Sequence, residues 1–445
     1  TEIYTLSLHD ALPIYIMDRA LVVRDPMVLR SLGAEGGLVI LLVLDDVARA
    51  EAELLCGNHI LFVAPDGGPA DVVLPMIDHK RAAESLRDLG LEDDRAESLA
   101  RAAHRGIRSY VRSAGIAGCV PVVEWTDELK SQPVRRAWLA GTWTAGRSGD
   151  VAVLSQLMGR DFSQAEPELL AATRSADPLL TKVGEVWGVA SPEESWEYCK
   201  GSLTRADLDA LEVAVQTVLG AVDPALALEP DKRWMADIYG LGRMHSSGLR
   251  RGLATTLCLL GCFGEELDIG RGTTGERWAA KVIRELLARI NQDATGQMWI
   301  SLADVLPLLA EAAPDVFLGA VQKGLSGEEP VLLSIFGDRD GDPLFSSSPH
   351  TGLLWALELL AWSDVHFALA VEALAGLAEI DPGGRLSNRP AASLRDVFRP
   401  WLPQTSAGPD SRLSALDGIA DRHPRVGQDL LLALLPERSA FGTYT

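Results

Sequence analysis

From Ala20 onward, short unbroken apolar runs alternate with mixed segments: ALVV, DPMVLRSLG, GGLVILLVL, DDVARAEAELL and NHILFVAP. Apolar runs of this kind, closed by Asp or Pro, predict strands covered on both faces, and the segments between them have helical spacing. The pattern therefore predicts a parallel sheet flanked by helices. After VVLP the period changes. HKRAAESLRDLGL and EDDRAESLARAAHRGIRSYVRSAGI repeat Leu, Ala and Ile at helical intervals, predicting a small helical unit. Next come three helical segments, PVRRAWLAGTW, GDVAVLSQLMG and DFSQAEPELLAATRS, followed by two short strands around LLTKVGEVWGVAS with Gly184 and Glu185 at the turn. Three helices followed by strand, turn and strand form the outline of a winged helix.

Beyond Ser202 no strand signal persists. Helices are predicted over Thr204–Leu219, Lys232–Tyr239, Ser247–Cys262, Gly275–Ile290, Leu302–Glu311, Pro314–Lys323, Pro349–Ala361, Asp364–Ala378, Ala391–Phe398, Arg412–Asp421 and Arg425–Leu435. Their short connections, marked by Pro or Gly, fit antiparallel hairpins, and stacked hairpins build an α-solenoid of degenerate HEAT-like character. The expected class is thus a mostly α multidomain chain: a small parallel α/β remnant over 15–78, a helical unit over 79–118, a winged helix over 119–201 and helical repeats over 202–445. Residues 1–14 fit no amphipathic template. They read as the in-frame translation of a sequencing-library adapter and stand outside the fold, and the final SAFGTYT reads as clipped.

Composition narrows the function classes. The chain has 445 residues, enough for several cores, and 47% of them are hydrophobic. No apolar run reaches the roughly 20 residues a membrane span needs. Cysteines at 56, 119, 199, 258 and 262 have no paired spacing for a disulfide framework, which points to a reducing cytoplasm. A formal charge of -21 works against broad nucleic-acid or anionic-membrane surfaces, because phosphate binding depends on basic patches that release counterions.

Each motif with chemical promise has a plainer reading. Asp45 and Asp46 end the apolar run GLVILLVLDD like the acids that hold Mg²⁺ in P-loop hydrolases. That chemistry also needs a Gly-rich loop with Lys, and no Gly-Lys pair occurs, so both read as helix N-caps. GRGTTG (270–275) follows an acidic stretch rather than a buried strand and reads as a loop between helices. DRDGD (338–342) places Pro343 and Pro349 where a calcium loop needs Gly and Glu, so it reads as a solvated acidic loop. Cys258 and Cys262 stand one helical turn apart without a His or carboxylate cluster nearby in sequence, and read as core residues. No catalytic residue, metal or cofactor is expected.

Two polar stretches resist a purely structural reading: SSSPHTGLLWALELLAWSD and IDPGGRLSNRPAASLRDVFRPWLPQTSA. They combine turn residues with side chains that anchor protein contacts or clamp anions, which nominates His350, Arg385, Asn388, Arg389 and Trp401 as binding residues. Helix capping and bonding of loop carbonyls is the plainer role for the same side chains.

Taken in order, these parts resemble the C-terminal portion of a bacterial STAND-class signal-transduction NTPase. The likeness is carried by LVILLVL and GNHILFVAP, by ESLARAAHRGIRSYVR, by PLLTKVGEVWGVASPEESW and by the two polar stretches. In that class a nucleotide-binding module couples a C-terminal repeat sensor to an N-terminal effector, and many members are linked to defence against phage. The resemblance implies a sensor and regulatory fragment that recognises a protein or other macromolecular trigger, with the NTPase core and effector outside this polypeptide, and it carries over no catalytic residue. Two alternatives make other demands. A DNA-associated regulator would need an exposed basic stripe over Arg135, Arg136, Arg147 and Lys182, and a hydrolase would need titratable groups converging on a pocket, for instance around His350 and Asp381.

Overall fold

The computed structural model describes residues 79–105, 110, 113–114, 125–174, 178–270, 272–336, 348–384, 386–400 and 402–435, with the backbone of three earlier strands. Residues 1–14, Asp45, Asp46, the 338–342 loop, Arg385 and Trp401 lie outside the described residues. The chain divides into two units, Thr1–Val122 and Val123–Thr445.

In the first unit β1 (Ala20–Val23), β2 (Val39–Leu42) and β3 (His59–Phe62) are parallel and adjacent in that order, with Val39 opposite both Ala20 and His59. Helices α1 (His79–Asp88) and α2 (Asp93–Arg105) pair through Ala83 and Leu86 against Ala96, Leu99 and Ala100. Asp93 and Asp94 occupy the first turn of α2, where the partial positive charge of a helix N-terminus favours them. Arg87 reaches back to Asp93 and Glu97 across the turn.

The second unit opens with α3 (Trp125–Glu128) and α4 (Gln132–Ala140), then β4 (Thr142–Thr144), α5 (Ser148–Met158), α6 (Phe162–Ala171), β5 (Leu180–Val183) and β6 (Val186–Val189). The sheet is antiparallel in the order β4-β6-β5. Gly184, at φ 58°, makes the hairpin turn where the sequence places it. Thr142–Thr144 is a strand rather than the end of a helix. Trp143 lies directly opposite Trp187, their rings stack at 5.6 Å, and Phe162 meets Trp187 edge-on. Burying two indoles drives this three-residue strand into the sheet.

Helices α7 (Pro192–Cys199), α8 (Arg205–Val218), α9 (Ser247–Phe263) and α10 (Gly275–Ile290) follow. After them come α11 (Gln297–Leu302), α12 (Leu306–Ala312), α13 (Pro314–Leu325), α14 (His350–Ala361), α15 (Asp364–Ile380), α16 (Pro390–Phe398), α17 (Pro409–Arg422) and α18 (Pro424–Leu434). The hairpins α9/α10, α12/α13 and α14/α15 stack in two rows: α9 touches α12 and α12 touches α14, while α10 touches α13 and α13 touches α15. The described chain is mostly helical, with one small antiparallel sheet in this unit.

Two predicted helices change form. Lys232–Tyr239 is entered by a 3-10 helix over Pro230–Met235 that gives way to turns; Trp234, Ile238 and Tyr239 are exposed and Ala236 alone in this range is buried, too little to sustain an α-helix. Leu302–Glu311 is broken between α11 and α12, because Pro307 cannot donate to the preceding turn.

One continuous core runs from Trp125 to Leu430, so the sections the sequence divides at 201/202 share their interior. Polar locks join them. Asp150, fully buried, accepts from Thr144 N at 2.9 Å, Ser246 N at 2.8 Å and Ser246 Oγ at 2.5 Å, tying β4 and α5 to the start of α9. Asp207 accepts from Arg135 Nε at 2.7 Å and Arg136 Nε at 2.8 Å while closing a capping box with Thr204. Burial penalises its charge, but bonds from Arg135, Arg136 and Thr204 outweigh that penalty and hold the carboxyl at about 2. Buried Arg250 donates to Asp304 and to the carbonyls of Val218 and Ser301 near the ends of α8 and α11, where a cation suits the partial negative charge.

Candidate functional site

Helix α14 is built from HTGLLWALELLA, and its leucines decide its orientation. Leu353, Leu354, Leu357 and Leu360 are buried, which turns positions 355, 359 and 362 outward at i, i+4 and i+7. Those positions hold Trp355, Leu359 and Trp362, and the two tryptophans are 58% and 52% exposed. The opening turns of α15 add exposed Val365 and Leu369. Each indole left half in water forgoes on the order of 2 kcal/mol of burial, at about 25 cal/mol per Å². The inner face already packs fully, so the fold does not need this apolar ridge.

Beside it stands Glu358, which accepts from Ser393 Oγ of α16 at 2.6 Å. Burial pushes its carboxyl above the usual range, the Ser393 bond opposes this, and nearby Asp396 adds to it. The ridge is therefore flanked by a partly buried acid whose charged form is disfavoured by its burial.

At the N-terminus of α14 the structure brings together three of the nominated residues. The His350 ring is 1% exposed, with Nε2 at 2.9 Å from the Asn388 carbonyl and Nδ1 at 2.5 Å from Ser348 Oγ. A carbonyl can only accept, so Nε2 carries hydrogen, and in the neutral ring Nδ1 accepts from the Ser348 hydroxyl. Phe336 lies 5.3 Å from the imidazole, and the Arg389 guanidinium lies over the same phenyl ring at 5.0 Å while pairing with Asp381. His350, Asn388 and Arg389 thus form one knot that bonds loop carbonyls and fixes the turn before α16. Asn388 takes part through its main chain. Ser348 and His350 resemble a nucleophile and base in spacing, but both are buried, and the second ring nitrogen meets a carbonyl in place of an orienting carboxylate.

The four basic residues that a DNA-binding face would need have internal partners. Arg135 and Arg136 converge on Asp207, Arg147 donates to the Arg243 and His245 carbonyls, and Lys182 meets Glu166 and the Trp187 ring. A cleft of about 270 Å³ opens where α9 meets the strands, lined by Trp138, Trp196, Arg251 and Thr255 among others. Its floor is the stacked Trp138–Trp196 pair, and Trp138 Nε1 donates to Ser195 Oγ at 2.9 Å. Cys258 and Cys262, expected in the core, are instead half-buried and exposed, with their sulfurs 3.9 Å apart.

Trp355 and Trp362 are the site residues that the sequence reading passed over. Their signal is in the sequence: Trp355 within the leucine-rich helix and Trp362 at its C-cap occupy positions opposite the leucine face. No protein family, curated protein or solved structure matches the chain.

Proposed function

We propose that this chain is a recognition and regulatory module that receives a protein trigger on the outer face of α14 and α15. The observation that carries the reading is the Trp355–Leu359–Trp362 ridge, because exposed tryptophans on a rigid helix are the side chains from which protein interfaces draw most of their binding energy. The stacked hairpins are read as a HEAT-like α-solenoid, an architecture whose extended surfaces bind proteins. The preceding helices and sheet, in the order helix, strand, helix, helix, strand, strand, are read as a winged helix. The shared core and the Asp150 and Asp207 locks make that element a rigid extension of the solenoid, suited to passing a binding event onward. The internal partners of Arg135, Arg136, Arg147 and Lys182, with the net charge of -21, support a protein rather than a nucleic acid as the trigger. In this reading the chain is the sensing part of a STAND-like NTPase whose phosphate-gripping loop lies outside it, with phage defence as the setting.

The test is site-specific photo-crosslinking in host cells, with and without phage challenge, from position 359 and from the exposed control position 284. Adducts with one defined protein from 359 alone are expected, and Trp355→Ser with Trp362→Ser should abolish them while the melting temperature stays nearly unchanged. Equal adducts from both positions, or capture that survives the double substitution, would refute the reading.

A further inference from the structure

Helices α9 and α12 cross with their backbones in contact. A Cβ on Gly261 would stand 2.0 Å from the Ala312 carbonyl oxygen, so only glycine permits this approach. The close crossing carries Glu311, on α12, to the two cysteines of α9. Cys262 Sγ lies 3.6 Å from the Glu311 carbonyl oxygen, and the ligand atoms of Cys258, Cys262 and Glu311 all fall within 4.8 Å of one another. A pair of thiols at a four-residue interval has thereby gained a carboxylate from 49 residues further along the chain.

We propose that Cys258, Cys262 and Glu311 bind a zinc-class divalent cation, leaving its fourth position open. The sulfur spacing is the first support. Two thiolates bound at about 2.3 Å to a tetrahedral ion stand roughly 3.8 Å apart, and the observed separation is 3.9 Å. The two sulfurs already stand at the separation a shared ion requires. The second support is rigidity. All three donors sit on helices whose backbones are held together at a glycine crossing, so binding has only side-chain rotamers left to order. Donor chemistry gives the selectivity: two soft thiolates and one carboxylate suit Zn²⁺ and its thiophilic analogues, whereas Mg²⁺ and Ca²⁺ take oxygen donors. Binding displaces the thiol protons to solvent, so affinity rises with pH. Cys262 and Glu311 are exposed, which gives the ion an entry path and leaves water as the fourth ligand.

The full chain, reduced and freed of chelator, is titrated with Zn²⁺ while alkylation of each cysteine is mapped by mass spectrometry, and a Co²⁺-loaded sample is examined by absorption. One equivalent of Zn²⁺ should protect Cys258 and Cys262 together, and Co²⁺ should give the intense visible bands of a tetrahedral site with thiolate charge transfer. Cys258→Ser should leave Cys262 unprotected. Glu311→Gln, a change at an exposed side chain that tests the site without disturbing the core, should weaken protection by at least about tenfold, since losing a direct ligand costs no less than losing an outer partner. Equal alkylation with and without Zn²⁺, protection unchanged in Glu311→Gln, or a Cys258–Cys262 disulfide in protein isolated under reducing conditions would each overturn the assignment.

Discussion

Replacing Asp207 with asparagine keeps the side-chain shape and removes a charge held between two guanidinium groups. Arg135 Nε and Arg136 Nε lie 2.7 and 2.8 Å from its two oxygens, and the Asp207 side chain is 1% exposed. Its carboxyl sits at about 2, against an ordinary 3.8. At about 1.4 kcal/mol per unit, this depression stabilises the native state by roughly 2 kcal/mol at neutral pH. The sign follows from the depression. The contribution is complete above the unfolded value near 4 and is lost as pH falls through the folded value near 2. Asparagine also leaves two largely covered guanidinium groups without a counter-charge, so the total loss at pH 7 should reach about 2–4 kcal/mol. Urea denaturation followed by tryptophan fluorescence measures this, with wild type and Asp207→Asn compared at pH 7, 4 and 3. The gap should be widest at pH 7 and should narrow by roughly 1 kcal/mol at pH 3, where the carboxyl of the unfolded chain is mostly protonated while the native one is still mostly ionised. A gap that stays constant with pH, or one below about 0.5 kcal/mol at neutrality, would refute the account of this lock.

Glu358 should behave in the opposite sense. Its carboxyl is raised by burial, so the native state binds that proton more tightly and gains stability as pH falls; Glu358→Gln should raise the melting temperature slightly at pH 8 and leave it unchanged near pH 4. Glycines of similar helical setting should differ in consequence. A Cβ on Gly252 would meet the Ala140 carbonyl at 2.2 Å and Thr142 N at 2.6 Å, so Gly252→Ala should cost about 2 kcal/mol or more, whereas Gly319→Ala in α13 enters open space and should gain about 0.5–1 kcal/mol, both read by thermal denaturation.

Local pattern accounts for much of the architecture. The helix predicted over Gly275–Ile290 has those bounds, Ser247–Cys262 extends by one residue, and the apolar runs near 39 and 59 are adjacent parallel strands. Here side-chain period and terminal signals act within one turn or one strand. Thr274, for example, caps α10 by accepting from Arg277 N, so the boundary is written next to the element it bounds. The failures are of another kind. TWT forms a strand only because VWGV, more than forty residues later, offers a partner and a matching indole.

The candidate sites divide in the same way. An outward Trp355 and Trp362 follow from helical geometry once the leucine face of α14 is known to point inward, and the sequence contains both facts. The knot of His350 with Asn388, the Arg135–Asp207–Arg136 lock and the approach of Glu311 to Cys258 and Cys262 arise from contacts across 38 to 72 residues. Propensity and periodicity act between near neighbours along the chain and thus establish which segments are helices and which faces are apolar. Which charges meet, and which thiols find a carboxylate, depends on how the helices pack, as at Gly261, where the backbone of α9 approaches Ala312 in a way no local pattern encodes.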